Sequence, residues 1–169
     1  RSGRPGPVLV DIPKNVLTGK TVGRYKPINK LPGYEPVPKL DQNDVEAAHA
    51  LLRAAQRPVC IIGGGCKLSD ATLEFRRWCK LTNIPVTATL HGIGATAADY
   101  PGLLGMLGMH GLRRANRAVA EADLIIGLGM RFDDRVTGRV DEFGRDAKII
   151  HVDIDAAEVD KIITTDVGI

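Results

Sequence analysis

A chain of 169 residues with 44% hydrophobic side chains is long enough for one domain with a real core plus a fragment of another. Its 23 basic and 20 acidic residues leave a formal charge of only +3, with no basic run to mark a nucleic-acid or membrane-surface partner, and 4% aromatics are too few for a base-stacking platform. Three cysteines, Cys60, Cys66 and Cys79, fit neither a zinc spacing nor C-x-x-C; an odd number in a glycine-rich α/β pattern reads as reduced cytosolic thiols, mostly core filler, and the sequence shows no signal-peptide pattern and no apolar run of roughly 18 residues.

The opening "RSGRPGPVLVDIP" reads as the middle of a longer polypeptide. Its apolar run 8–12, bounded by prolines, predicts a strand whose partners lie elsewhere. Residues 15–40 are rich in proline and glycine, lack periodicity, and read as an extended linker and a domain boundary. From 41 onward the pattern is regular. Asp41 is placed to cap a helix with Val45, Ala48, Leu51, Leu52 and Ala55 on one face. "PVCIIGGG" is a buried strand ending in glycines. Ser69 is expected to cap a helix over 69–83, and "IPVTATL" is a strand. A long glycine-rich stretch, 91–111, leads to a helix over 112–122. The strands "DLIIGLG" and "AKIIHVDID" follow, and Asp155 is expected to cap a short helix over 156–162. Continuous apolar strands alternating with helices imply an α/β fold: three layers, doubly wound around a mostly parallel sheet.

Ligands of such sheets sit beyond the carboxyl ends of the strands. Three of those ends share a chemistry. One runs into Gly63, Gly64 and Gly65, one into Gly127, Gly129 and Arg131, one into Asp153 and Asp155. Glycines let a backbone approach a phosphate and offer N–H donors, while an acid can accept from a ribose hydroxyl. Together they suggest a dinucleotide cradle. Singly they do not: in "GGGCKL" Leu68 stands where the third glycine of G-x-G-x-x-G belongs, and a triple glycine is also an ordinary tight turn.

"RFDDRVTG", 131–138, has two readings as well. As a solvated loop, Arg131, Asp133, Asp134 and Arg135 pair with one another to little effect. As a site, the arginines meet a phosphate or a flat ring and the aspartates hold them. The paired acids lack the neighbours of a metal site, and two acids on one loop tip beside two arginines do not suit glycoside hydrolysis. His110, in "GMLGMHG", is either satisfied by backbone or part of a loop folded over a ligand. Met106 and Met109 are core filler or a soft wall for an aromatic ring.

"SGRPGPVLVDIPKNV", "GMLGMHG", "RFDDRVTG" and "HVDID", in this order, resemble the catalytic subunits of the acetolactate synthase (acetohydroxyacid synthase) family, and the resemblance covers essentially the whole chain. These are thiamine-diphosphate enzymes of branched-chain amino-acid biosynthesis that decarboxylate pyruvate and join it to pyruvate or 2-oxobutyrate. The resemblance implies that residues 1–14 end a pyrimidine-binding domain, 15–40 link it onward, and 41–169 form a Rossmann-like central domain that binds FAD and is cut short at its C-terminus.

By the same resemblance, the flavin would be lined by Arg4, Gly63, Gly64, Gly65, Thr89 and Leu90. Leu107, Gly108, Met109, His110 and Gly111 would follow, then Gly129, Arg131, Asp133, Arg135 and Val136, and last Asp153, Ile154 and Glu158. Lys14, Met109 and Asp134 match positions lining the family's substrate channel. The family's activating glutamate and its magnesium and thiamine-diphosphate ligands belong to other domains, so no catalytic or metal-binding residue is expected here, and the segment alone is expected to be inactive. Implied partners are the remaining domains of the same subunit, further copies in a dimer or tetramer, and a small regulatory subunit, but neither nucleic acid nor membrane. The alternative, on the residues alone, is a stand-alone module binding NAD or ADP.

Overall fold

The computed structural model describes residues 3–24, 27 and 39–169. They divide into two units, Arg1–Pro38 and Lys39–Ile169. In the first, the expected strand over 8–12 does not form: the segment is extended, and Val8 and Leu9 are 87% and 93% exposed. A strand exists through its ladder, and no described residue pairs with this one. The expected linker contains instead a single helical turn, α1 (Lys14–Leu17), whose Val16 and Leu17 N–H groups donate to Pro13 O. Residues 25, 26 and 28–38 of that linker lie outside the described residues.

The second unit runs α2 (Gln42–Ala54), β1 (Pro58–Ile62), α3 (Gly65–Leu68), α4 (Thr72–Thr82) and β2 (Val86–Ala88). A 3-10 turn (Leu90–Gly92), β3 (Leu103–Met106), α5 (Arg113–Ala120) and β4 (Leu124–Leu128) follow. The unit ends with α6 (Asp134–Thr137), β5 (Lys148–Val152) and β6 (Val167–Gly168). Asp41 caps α2 as expected, its carboxylate accepting from Asn43 N–H at 2.9 Å. Ser69 does not cap α4. It closes the short α3, its hydroxyl donating to Cys66 O, and Asp70 turns left-handed (φ +60°) before α4 starts. Asp155 makes a local turn, accepting from Ala157 N–H, and no helix forms over 156–162.

All six strands are parallel, in the order β3-β2-β1-β4-β5-β6. This is the doubly wound arrangement, with its reversal of direction between β1 and β4. Alternation along each strand divides the core between two faces. Cys60, Ile62, Leu124, Ile126 and Ile150 pack with Phe75 and Cys79 of α4 and with the apolar stripe of α2. Val59, Ile61, Ile125 and Ile149 pack on the other face with Ala115 and Val119 of α5 and with Phe132. Ile61 and Ile125 are fully buried; each such side chain contributes about 1.5–3 kcal/mol.

Carboxylates fix the amino ends of the strands. Asp123 accepts from the N–H groups of Gln56 (2.7 Å) and Arg57 (2.8 Å), tying the entry of β1 to that of β4. Asp166 accepts from Ile149 N–H and from Lys148 Nζ, both at 2.8 Å, and does the same for β5 and β6.

Candidate functional site

At the opposite edge of the sheet, beyond the reversal point, Gly63 follows β1 and Gly129 follows β4. Their backbones touch. Gly63 N–H donates to Leu128 O (2.8 Å), Gly65 N–H to Gly129 O (2.9 Å), and Gly129 N–H to Val152 O (2.7 Å). A Cβ on Gly63 would lie 2.0 Å from Gly129 O, and one on Gly65 would lie 2.7 Å from Gly129 Cα. Glycine is therefore required here by the contact of two loops, and these three N–H groups are engaged within the chain. Gly64 lies against His91, whose Cβ would be 2.9 Å from a side chain placed there.

The next parts of the rim are stitched to this floor. Thr89 N–H donates to Ile62 O (3.0 Å), and Thr89 Oγ1 accepts from Gly92 N–H (3.2 Å), which shapes the turn carrying the exposed Leu90. Leu107, buried, donates its N–H to Ala88 O at 3.2 Å. Gly108 has φ +93°, and a Cβ on it would lie 2.2 Å from Arg135 O. Met109 N–H donates to that same oxygen at 3.0 Å, while its side chain is 63% exposed, beside the exposed His110. Gly111 closes the loop, its N–H donating to Gly108 O.

"RFDDRVTG" is anchored by its apolar member. Phe132 is buried, edge-on to the rings of Phe143 and His151. His151 is itself fully buried, its Nε2 2.8 Å from Met130 O. Around that anchor the charged side chains face outward. Asp133 caps the single turn of α6 by accepting from Arg135 N–H (3.2 Å) and pairs with Arg131 at 3.3 Å. Asp134 pairs with Arg135 at 3.1 Å, both well exposed, so the pair adds little to stability on its own. Leu107, Met109, Asp134 and Val136 share a groove of about 390 Å³ with Asn116 and Phe143.

At the third strand end, Asp153 N–H donates to Ile169 O (3.0 Å) and its carboxylate accepts from Asp155 N–H (3.0 Å), while Ile154 is 47% exposed. Glu158 is almost wholly covered and pairs with Lys161 at 2.9 Å. Arg4 and Lys14 belong to the first unit, both exposed there. Among the described residues, no group of three or more His, Cys, Asp or Glu could hold a metal ion, and no helix is long and apolar enough to cross a membrane.

Several titrations are displaced by the fold. Burial pushes the Cys60 thiol well above its ordinary value and that of Cys79 up to about 11. Burial also pushes Asp123 and Asp166 upward, but the N–H and Lys148 donors outweigh it and hold both carboxyls below their ordinary value. Asn116, on α5, carried no sign in the sequence of belonging to the site. It holds the Gly108 peptide through both ends of its side-chain amide, a contact that only the fold creates.

The chain is 48% identical over 168 residues to the acetolactate synthase of Mycobacterium bovis, matching 99% of itself and 27% of that protein. It is 50% identical over 162 residues to acetolactate synthase 1, chloroplastic, of Zea mays, covering 95% of itself and 25% of the relative. Against the acetolactate synthase isozyme 2 large subunit of Escherichia coli it is 47% identical over 161 residues, 95% of itself and 29% of the relative. It thus spans about a quarter of the length of the curated relatives it matches. Residues 45–169 match the family described as thiamine pyrophosphate enzyme, central domain, over a sheet whose order and parallel pairing have just been described; the chain belongs to that family.

Proposed function

We propose that residues 39–169 form the flavin-binding central domain of an acetolactate synthase catalytic subunit, with the first residues of the chain ending its pyrimidine-binding domain. The whole enzyme would decarboxylate pyruvate and condense it with pyruvate or 2-oxobutyrate, serving branched-chain amino-acid synthesis in the cytoplasm. Thiamine diphosphate and magnesium would be held by other domains of the same subunit, in an assembly of several copies with a regulatory subunit. FAD would have a structural role in this domain, and no catalytic residue is assigned to this segment.

The observation that carries the reading is the junction at Arg135 O. It joins two sequence-distant motifs, "GMLGMHG" and "RFDDRVTG", in one rim beyond the carboxyl ends of the strands. The residues present fit an extended anionic dinucleotide. Arg131 and Arg135 offer outward guanidinium groups that can pair with phosphate oxygens. Met109 and Leu90 expose apolar surface for a ring. Asp133 and Asp134 steady the arginines. Because Gly63, Gly65 and Gly129 donate their N–H groups to Leu128 O, Gly129 O and Val152 O, the cation side chains, rather than those amides, would hold the phosphates. Lys14 and Asp134 would face the substrate channel of the whole enzyme.

Titration of FAD into the full-length polypeptide, followed by flavin fluorescence with NAD in parallel, tests this. Saturable FAD binding without NAD binding is expected. Binding of NAD or ADP with no response to FAD would establish the other reading, a stand-alone nucleotide module.

A further inference from the structure

The loops 107–111 and 131–138 meet where Met109 N–H donates to Arg135 O, and one side chain from α5 holds the first of them. Gly108 N–H donates to Asn116 Oδ1 at 2.7 Å, and Asn116 Nδ2 donates to Gly108 O at 3.0 Å. One partner is a donor and the other an acceptor, so the amide sits only one way round. Neither a carboxylate nor an alanine can satisfy both. The peptide held in this way leads directly to the contact between the loops. Gly108 abuts Arg135 O so closely that a Cβ would lie 2.2 Å from it, and Met109 N–H donates to the same oxygen at 3.0 Å. From the other side, Asp133 Oδ1 accepts from Arg135 N–H at 3.2 Å. A continuous series of bonds therefore runs from Asn116 through Gly108 and Met109 to Arg135 and Asp133.

We propose that Asn116 is a positioning residue: by holding the Gly108 peptide it couples the two loops, so that Met109 on one side and Asp134 and Arg135 on the other are set as a single unit. The bearing of this unit on flavin binding rests on the functional reading above; the coupling itself does not.

The test compares N116A with wild type by residue-resolved amide exchange, with the helix-surface variant R117A as control. Removing the amide deprives Gly108 N–H of its acceptor directly. Met109 N–H keeps its acceptor, Arg135 O, so its exchange rises only when the loops part. About tenfold faster exchange is expected at both amides, the worth of one or two ordinary hydrogen bonds, with the sheet amides of Ile61 and Ile125 unchanged. Acceleration confined to Gly108 would overturn the proposal. N116D keeps an acceptor for Gly108 N–H but sets a carboxylate against Gly108 O. It serves if N116A does not fold: Met109 exchange must rise in it while Gly108 stays protected, and unchanged Met109 exchange overturns the proposal equally. FAD titration of the full-length polypeptide separates the two claims. Where wild type binds flavin, N116A is expected to bind about tenfold more weakly and R117A as tightly as wild type; equal affinity for N116A overturns the positioning role. Wild type that binds no flavin removes the functional reading alone, and the Met109 exchange rate still decides the coupling.

Discussion

Gly63 has no room for a methyl group. A Cβ there would lie 2.0 Å from Gly129 O and 2.5 Å from Met130 Cβ, and the nearest atom is backbone, which cannot rotate away. Gly63→Ala is therefore expected to cost about 3 kcal/mol, the upper range for overpacking, measured as a lowered urea midpoint. A midpoint within error of wild type would show that the two loops part easily. Arg131 is the reverse case, half-exposed and, among the described residues, paired with Asp133 at 3.3 Å. Arg131→Ala should leave stability almost unchanged, yet weaken FAD binding in the full-length polypeptide by about 1.5–3 kcal/mol, the worth of bonds to a charged group. Unchanged affinity by titration would make Arg131 an ordinary surface charge. These two residues also mark what the sequence discloses. That glycine follows each central strand was plain from 63–65 and 127–129. That the glycines serve one another was hidden, because the contact joins segments far apart in the chain. Asn116 was hidden for the same reason: it stands in an ordinary helical repeat, and only the fold brings Gly108 to it.

Elements were legible where a periodic pattern was long enough to decide them. α2, β1, β4 and β5 stand where apolar spacing and the Asp41 cap place them. β3 and β6 were missed because neither carries its own signal. β3 includes Gly105 at φ +88° and pairs with β2 through a register shift, and its ladder is supported by Thr87 Oγ1 donating to Gly105 O. β6 has only two residues. Such strands are selected by the edge they join. The register of the central pair depends on Asp123. Its folded carboxyl titrates below its unfolded value, so its contribution is complete above about pH 4, near the unfolded value, and is lost as pH falls through the folded one. Asp123→Asn keeps one acceptor and loses the charge. The variant should be less stable than wild type at neutral pH, and the gap should narrow as the pH is taken from neutral into acid. Urea midpoints at neutral and acidic pH check this; a gap that persists in acid would mean that the ionised carboxylate is not what fixes the register.

At the scale of the whole molecule, the two-faced core determines chemical reactivity. Cys60, Cys66 and Cys79 are 0%, 7% and 2% exposed, and burial raises all three thiols above their ordinary values. The thiolate is the reactive form, so a thiol reagent at mildly alkaline pH should find none of them in the folded protein. All three should react together when the core opens, with the rate following denaturant concentration. One thiol that reacts at once in native buffer would show that α3 or α4 opens separately from the sheet.

The tie between Arg57 and Asp123 spans 66 residues, and this sets an order of events during synthesis. β1 becomes the middle of the sheet, yet it leaves the ribosome long before β4 exists to cover its second edge. A nascent chain ending at Glu121 carries β1, β2 and β3 with the β4 side of β1 open, and distant parallel pairings of this kind form slowly. Open apolar strand edges recruit other chains. A polypeptide ended at Glu121 should therefore scatter light at concentrations where the chain through Ile169 stays clear, and a clear solution would show that β1 is protected before its partner is made. Slow translation across 91–123 would lengthen this exposure, and a chaperone arriving in that interval would find its target in the strand that is best hidden once the sheet is complete.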